Sequence, residues 1–516
     1  MTGLLADYRS DTYDEMVDAD GAPRAHTKSL YEALELLSPG DLEERGTARI
    51  RSFLQQGITF SSSGEEWVFP LDLVPRLIAE DEWDHIEAGV VQRVRALEAF
   101  LDDIYGNREV LRDGVIPHSL VLTSSNFVRE AVGIRPASGV RVHLAGIDLV
   151  RGDDGVMRVL EDNLRVPSGI SYVIENREAL TRVFPGLFLE QQVQPVAGFV
   201  ATLLDSLRAV APAGVSDPTV VLLSPGIYNS AYFEHAFLAR KMGIELVEGR
   251  DLICLDGVLY MRTTRGETRV DVVYRRIDDE FLDPLQFRPD SVIGTAGLIN
   301  AARAGTVTIA NAVGNGVADD KLIYTYVPEL IEYYLGEQPL LPNVTTFRLA
   351  DPDVLEYALG RADELVFKPV DGSGGHGIVI GPHASDEELA AVGEQVLACP
   401  RGWVAQQLVK LSTVPSKDGD RLRPRHVDLR PFATNDGERI HVLPGGLTRV
   451  ALREGTLVVN SSQGGGSKDT WVLTSVHRAP AHDGPFAVVA GSVPAVAPDP
   501  GPASEQAEQQ QQAGPC

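Results

Sequence analysis

Apolar positions in the first part of the chain recur at intervals of three and four residues. From about residue 29 to residue 112 this spacing runs through the stretches LYEALELL, ERGTARIRSFLQQG and EAGVVQRVRALEAFLDDIYG. Such spacing places the apolar side chains along one face of a helix. We therefore expect a helical region over residues 29–138, preceded by a flexible N-terminus over residues 1–28.

The pattern changes near residue 140. The stretches VHLAGIDLVR and VMRVLEDN flank the turn Gly152–Gly155, which predicts a hairpin of two strands. Further on, TVVLLS, AYFEHAFLARKM and IELVE predict a strand, a helix and a strand, with Asn229 or Ser230 capping the helix and Gly243 ending it. This order is typical of a Rossmann-like β-α-β unit, although no GxGxxG signature accompanies it.

Short strands dominate the second half of the chain. LICLDGVLYMR predicts a hairpin that turns at Asp256-Gly257, and DVVYRRID predicts a further strand. Between residues 365 and 473 we expect strands at LVFKPV, GWVAQQLV, HVDLRPFA, RIHVLPGGLTRVAL and TLVVNSS. A mixed α/β architecture follows. Residues 475–516 are rich in proline and contain QAEQQQQ, which predicts a disordered tail.

Composition narrows the possible partners and compartments. The 516 residues include 46 Lys and Arg against 73 Asp and Glu, a net charge of −27, which repels nucleic acids and anionic membranes. Cys254, Cys399 and Cys516 lie far apart, so we expect neither disulfides nor a thiolate metal site. The acidic N-terminus lacks the apolar stretch of a signal peptide, and we expect a cytoplasmic protein.

The stretch LVFKPVDGSGGHGIVIG carries the clearest chemical signal. Its first strand presents Lys368, and a loop follows with Gly372, Ser373, Gly374, Gly375, His376 and Gly377. Closely spaced glycines let backbone N–H groups approach a polyphosphate, and the lysine adds a positive charge. The order differs from that of a P-loop. Taken alone, the stretch fits a glycine-rich hairpin with a solvated lysine about equally well.

A second group combines Asp148 with Glu161 and Asn163. The two predicted strands lie side by side, and Glu161 and Asn163 are two positions apart on one face, so three oxygen ligands can converge. Mg²⁺ prefers such ligands and takes others from water and phosphates. Acidic residues on a solvated strand face are the alternative interpretation.

Arginines on otherwise apolar strands form a third group: Arg275 and Arg276 in VVYRRID, Arg430 in HVDLRPF, and Arg449 in GGLTRVAL. A buried guanidinium needs an anion, either a phosphate or carboxylate of the substrate or a structural partner such as Asp278 or Asp428. The histidines form no zinc motif, and Cys254 lies in an apolar strand as expected of a core thiol.

The residues VLEDN, SPGIYNSAYFEH, DDKL, FKPVDGSGGHG and VVNSSQGGGSKDTW together resemble the circularly permuted ATP-grasp family, type 2, which is related to glutathionylspermidine synthase. The resemblance runs from about Tyr31 to Leu473. The presumed metal cluster precedes the presumed nucleotide lysines, the reverse of the order in ordinary ATP-grasp enzymes. Nothing in the sequence matches an amidase domain or a site for glutathione or spermidine.

The resemblance implies roles for the candidate residues. Lys368 and Lys321 would contact the phosphates of ATP beneath the loop Gly372–Gly377, and Gln406 or Gln407 would face adenine. Asp148, Glu161 and Asn163 would bind Mg²⁺, and Arg449 and Asn460 would lie near the transferred phosphate. Arg430 is a further catalytic candidate. It also implies a permuted segment at 139–200, a Rossmann-like unit at 201–300 and a nucleotide-binding segment at 301–474.

The chemistry that the family implies is ligation of a carboxylate to an amine through an acyl phosphate, with ATP and Mg²⁺ as cofactors. The substrates would be small molecules or peptides, and the oligomeric state is open. An ATP-grasp phosphotransferase or ATPase is one alternative. A scaffold that binds ATP without turnover is the other.

Overall fold

The computed structural model describes residues 3–62, 65–370, 377–453, 456, 459 and 465–474. The expected loop at 372–376, most of TLVVNSS with Asn460, and the tail at 475–516 lie outside these residues. The helices are α1 Lys28–Leu36, α2 Pro39–Gln56, α3 Glu80–Tyr105, α4 Glu109–Arg112, α5 His118–Leu122, α6 Ile170–Val183, α7 Pro185–Glu190, α8 Phe199–Ala209, α9 Tyr232–Met242, α10 Asp279–Leu282, α11 Leu298–Arg303, α12 Lys321–Tyr324, α13 Val327–Leu335, α14 Pro352–Leu359 and α15 Asp386–Ala398.

The strands complete the mixed α/β fold that the sequence predicts. They are β1 Thr59–Ser62, β2 Glu65–Val68, β3 Arg76–Ile78, β4 Leu144–Arg151, β5 Met157–Asn163, β6 Val220–Leu223, β7 Glu245–Val247, β8 Leu252–Leu255, β9 Val258–Thr263, β10 Gly266–Arg269, β11 Val272–Arg275, β12 Thr308–Ala310, β13 Thr346–Arg348, β14 Leu365–Pro369, β15 Val379–Ile380, β16 Trp403–Gln407, β17 Thr413–Asp418, β18 Arg421–His426, β19 Phe432–Asn435, β20 Ile440–Val442, β21 Thr448–Val450, β22 Gly466–Lys468 and β23 Thr470–Val472.

The helical region expected at 29–138 contains α1 to α5, with the short strands β1 to β3 between α2 and α3. Ser38 and Asp41 form a capping box at the start of α2, and Gly57 ends the helix in the left-handed conformation. Helix α3 is the long central helix of this region. Its buried face runs from Trp83 to Tyr105 and packs in the main core.

An antiparallel sheet in the order β20-β19-β4-β5 holds the predicted hairpin. In its register Asp148 pairs with Glu161 and Gly146 with Asn163. A bulge follows Asp148, where Leu149 pairs with Val159. The sheet therefore joins the early hairpin to strands that lie nearly 300 residues later in the chain.

A parallel sheet in the order β12-β11-β6-β7 contains the predicted β-α-β unit, in which α9 connects β6 to β7. Val221 and Leu223 pack into one apolar cluster and Val220 and Leu222 into another, so both faces of β6 are covered. Helix α9 begins at Tyr232 without a side-chain cap, which corrects the expected cap. Asn229 instead accepts a 2.9 Å hydrogen bond from the backbone N–H of Ala231, the residue directly before the helix.

A third four-stranded sheet, β13-β16-β14-β15, is antiparallel and carries helices α14 and α15 on one face. Its apolar cluster, which includes Leu349, Phe367 and Val392, is separate from the two large clusters of the protein. Between residues 365 and 473, where the sequence predicts mainly short strands, the structure also contains α15. The capping box of Ser385 and Glu388 starts this helix.

The described part of the N-terminal segment is packed rather than flexible. Leu4, Met16 and Val17 are buried, and the carboxylate of Glu15 accepts hydrogen bonds from Arg76 at 2.7 Å and from Arg151 at 2.9 Å. Burial alone would raise the pKa of Glu15, but the two guanidinium groups outweigh it and hold that pKa well below its usual range. The segment therefore belongs to the fold.

No helix in the described ranges has the length and apolarity to cross a bilayer.

We expect Glu15→Gln to lower the free energy of unfolding by about 3–5 kcal/mol, because the buried Arg76 loses its counter-charge and Arg151 is left with Glu82. The stabilisation by Glu15 is present above its unfolded pKa of about 4.5 and is lost as the pH falls below that value. Urea unfolding at neutral and acidic pH measures both effects. Glu43→Gln, which removes an exposed pair with Lys417, is the control and should leave the free energy of unfolding nearly unchanged. Equal stability of the two variants would contradict the role of Glu15.

Candidate active site

The sheet that carries Lys368 faces the sheet that carries Glu161 across one narrow pocket. β5, α12, β14 and β16 all contribute to its walls. The lining residues are Leu160, Glu161, Asp162, Asp319, Lys321, Tyr324, Thr346, Lys368, Val404 and Gln406. The structure thus brings the early carboxylates and the late lysines together.

Lys368 is held by a hydrogen bond rather than left mobile. Its Nζ donates to Oε1 of Gln406 at 2.6 Å, and Nε2 of Gln406 donates to Oγ1 of Thr346 at 2.9 Å. Gln406 is buried, whereas Gln407 lies on the opposite face of β16 and is exposed. In this structure the amide of Gln406 therefore positions a lysine and does not point to open space.

Burial lowers the pKa of Lys368 to about 8, and the positive charge of Lys321 acts in the same direction. The negative charge of Glu161 acts against both. Lys321 begins α12, and its Nζ lies 3.5 Å from the carbonyl oxygen of Val370 at the end of β14. Two lysines from different segments thus converge at one side of the pocket.

Asp148, the partner of Glu161 in the strand register, is fully buried and is bound by two arginines. Arg430 donates from both Nε and Nη2, the latter at 2.8 Å, and Arg449 donates from Nη2 at 2.5 Å. Burial alone would raise the pKa of Asp148, but Arg430 and Arg449 outweigh it and hold that pKa well below its usual range. The carboxylate is therefore ionised, and both of its oxygens are in use.

Arg449 has a second buried partner, Asp428. Its Nε lies 2.8 Å and its Nη2 2.5 Å from Oδ2 of Asp428. Burial raises the pKa of Asp428 in spite of this contact. The sequence analysis named Asp428 as a possible structural partner of a buried arginine, and the structure shows this pair for Arg449. Arg275 and Arg276 likewise have internal partners, Asp279 and Glu234.

Glu161 and Asn163 complete the oxygen ligands on this side. Glu161 is partly exposed, with 38% of its side chain accessible, and its Oε1 lies 3.8 Å from Nη2 of Arg430. Burial raises the pKa of Glu161, and the neighbouring charge of Asp148 raises it further. Nδ2 of Asn163 lies 3.5 Å from Oδ1 of Asp148. Two neighbouring carboxylates with an amide beside them suit a hard cation, which would relieve the repulsion between Asp148 and Glu161.

No group of three or more His, Cys, Asp or Glu side chains in the described ranges could hold a metal ion alone. This finding does not concern the three predicted ligands, because one of them is the amide of Asn163. Four polar lining residues received no role in the sequence analysis: Asp162, Asp319, Tyr324 and Thr346. Asp319 directly precedes Asp320-Lys321, and burial raises its pKa to about 7. The candidate Lys321, two residues later, was the sequence signal that could have indicated Asp319.

Of the predicted phosphate-binding loop at 372–377, the described ranges include Gly377. Gly377 follows β14 at a φ of +73°, where a Cβ atom would lie 3.2 Å from Cγ of Pro369, so the turn requires glycine. Gly372, Ser373, Gly374, Gly375, His376 and Asn460 lie outside the described residues. Cys254 is half-buried in β8, and burial raises its pKa to about 11, as expected of a thiol without a nucleophilic role.

A cleft between two antiparallel sheets, with lysines on one side and carboxylates on the other, is the arrangement of an ATP-grasp protein. The chain belongs to the circularly permuted ATP-grasp family, type 2, whose family model matches residues 75–451. This match confirms the family resemblance and the fold that it implied.

Three relatives and one solved structure extend this result. Uncharacterized proteins of Mycobacterium tuberculosis and Synechocystis sp. are 58% identical over 495 residues and 52% identical over 466 residues. These matches cover 96% and 89% of this chain and 90% and 97% of the relatives. A Frankia casuarinae protein named putative glutamate–cysteine ligase 2-2 is 47% identical over 479 residues, which is 91% of this chain but 54% of the relative.

A glutathione synthetase-like effector of Globodera pallida in its apo form is similar in structure, with a TM-score of 0.54 at 11% identity. The superposition covers 85% of this chain and 98% of the effector. At this identity the similarity shows the fold alone.

We expect Asp148→Asn to lower the free energy of unfolding by about 3–5 kcal/mol in metal-free buffer, because Arg430 and Arg449 lose a buried counter-charge. Glu161→Gln is the matched control. It removes a neighbouring negative charge from a partly exposed position and should not destabilise the fold. Urea unfolding in the presence of EDTA compares the two. A cluster of carboxylates without arginine partners predicts the opposite for Asp148→Asn, because neutralisation would then relieve repulsion.

Proposed function

We propose that this protein is an ATP- and Mg²⁺-dependent ligase that joins a carboxylate to an amine through an acyl phosphate. One observation carries the proposal. Lys368 and Lys321 line one pocket with Glu161, and Asp148 and Asn163 lie next to Glu161 in the hairpin of β4 and β5. Positive groups for a polyphosphate therefore lie beside oxygen ligands for a divalent cation. A carboxylate oxygen attacks the terminal phosphorus, ADP leaves, and the amine then displaces phosphate to form the amide.

The relatives support the class of reaction but not a substrate. The Frankia protein carries the name of a putative glutamate–cysteine ligase, yet this chain spans about half of its length. That name therefore applies to a longer protein. The proposed substrates remain a carboxylate and an amine on small molecules or peptides.

The chain's own residues neutralise and orient the reacting groups. Lys368 and Lys321 place positive charge beside the phosphates. Glu161, Asn163 and Asp148 would hold Mg²⁺, which neutralises phosphate charge when bound. Gln406, which lines the pocket, or Gln407, which ends the same strand, stays a candidate for adenine. Asn460 stays a candidate for the transferred phosphate.

Trapping with hydroxylamine tests the proposal. The purified full-length protein is incubated with ATP, Mg²⁺, hydroxylamine and a pool of amino acids, peptides and polyamines, and ADP and hydroxamates are measured. We expect ADP and hydroxamate in equal amounts, because hydroxylamine intercepts an acyl phosphate. ADP with phosphate but no hydroxamate would favour an ATPase, and a phosphorylated product without a hydroxamate would favour a phosphotransferase. Bound but unchanged ATP would favour a scaffold. Absence of ATP binding would contradict the proposed ligase and each of these alternatives.

We expect the affinity for a non-hydrolysable ATP analogue to fall as the pH rises above about 8. Lys368 has a pKa of about 8 in the free protein, and phosphate stabilises its protonated form. Above pH 8 the protein must take up a proton to bind, which costs up to about tenfold in affinity per pH unit. Calorimetric titrations from about pH 7 to about pH 9.5 measure this change.

Lys368→Arg is the control, since a guanidinium stays charged over this range. Its affinity should be nearly independent of pH, and Lys368→Met should bind weakly at every pH. The same decline in the arginine variant as in the wild type would show that another group titrates.

A further inference from the structure

The two arginines on Asp148 differ in what else holds them. Arg449 has a bidentate contact with Asp428, a buried carboxylate outside the proposed metal ligands. The carboxylates that Arg430 contacts in the described part of the chain are Asp148 and Glu161. Its third contact, at 3.4 Å, is the backbone carbonyl of Ser168.

This difference matters because both carboxylates of Arg430 belong to the proposed metal ligands. A divalent cation and a guanidinium compete for the same oxygen lone pairs, and they repel each other at contact distance. Arg430 covers both oxygens of Asp148, whereas Arg449 reaches Oδ2. Metal binding therefore displaces Arg430 from both of its carboxylates and leaves Arg449 anchored on Asp428.

Building on the proposed function, we infer that Arg430 is exchanged between Asp148 and the transferred phosphate, while Asp428 is a positioning residue that keeps Arg449 in place. A guanidinium released from a carboxylate binds a phosphate oxygen with the same bidentate geometry. Without a phosphate, the released charge would stay buried and unpaired, which is unfavourable. The exchange thus makes metal binding depend on the nucleotide.

Metal binding by the nucleotide-free protein tests the inference. Mn²⁺ replaces Mg²⁺ as the probe, and free Mn²⁺ is followed by its paramagnetic resonance signal. We expect weak binding by the wild type and binding at least about tenfold tighter by Arg430→Gln, because Asp148 and Glu161 lose their competing cation. A non-hydrolysable ATP analogue should strengthen Mn²⁺ binding strongly in the wild type and little in Arg430→Gln.

Thermal unfolding gives a second measurement. Arg430→Gln should melt at a lower temperature than the wild type in EDTA and should recover more of its stability on addition of Mg²⁺, since a ligand stabilises the state that binds it. Arg430→Lys retains the charge with fewer hydrogen-bond donors. Its melting temperature in EDTA should lie between those of the wild type and Arg430→Gln. If Arg430→Gln does not fold, the lysine variant decides whether metal affinity rises.

The matched control is Arg177→Gln, which removes a buried arginine from Asp469 and leaves both Arg430 and Arg449 on Asp148. Its nucleotide-free Mn²⁺ affinity should equal that of the wild type. An equal gain in the control, or no gain in Arg430→Gln and Arg430→Lys, would overturn the inference. A wild type that binds neither ATP nor Mn²⁺ in the presence of the analogue would instead contradict the proposed function.

Discussion

The neutralisation of Asp148 is the constraint on which the site depends. A fully buried carboxylate is costly unless cations and hydrogen bonds compensate for its charge. Its compensating arginines lie 282 and 301 residues later in the chain. β19 pairs with β4 directly after Arg430, so the ion pairs form only when the late segment docks on the early hairpin. The charge of one side chain and the closure of the sheet thus stabilise each other.

The same sheet explains why the reversed motif order is compatible with the cleft. What the chemistry needs is that β5, which carries Glu161 and Asn163, lies opposite β14, which carries Lys368. Helix α3 fixes β5 from behind through the pair of Arg93 with Asp162, at 2.5 and 2.8 Å. Strand pairing and this anchor define the cleft in space, whichever segment comes first in the chain.

Local patterns predicted local structure well. The pairing of Asp148 opposite Glu161 follows from a hairpin with a short turn, and the strand, helix and strand around α9 follow from apolar periodicity. Helix α15 was missed because alanines and an internal glycine, Gly393, weaken its apolar periodicity. Long-range ionic partners leave no such periodic signal, so Glu15 appeared as part of a flexible terminus although Arg76 and Arg151 surround it.

The sheet that bears Lys368 has an apolar face covered by helices and a polar face that lines the pocket. Residues alternate between faces along a strand. Phe367 and Ala405 point toward α14 and α15 and form their own apolar cluster, whereas Lys368 and Gln406 point into the pocket. The covered face stabilises the sheet, so the open face can carry a lysine whose pKa is lowered and a buried amide. A polar substitution at Phe367 would therefore disturb the site without touching any residue in the pocket, because it would remove the support on which Lys368 is positioned.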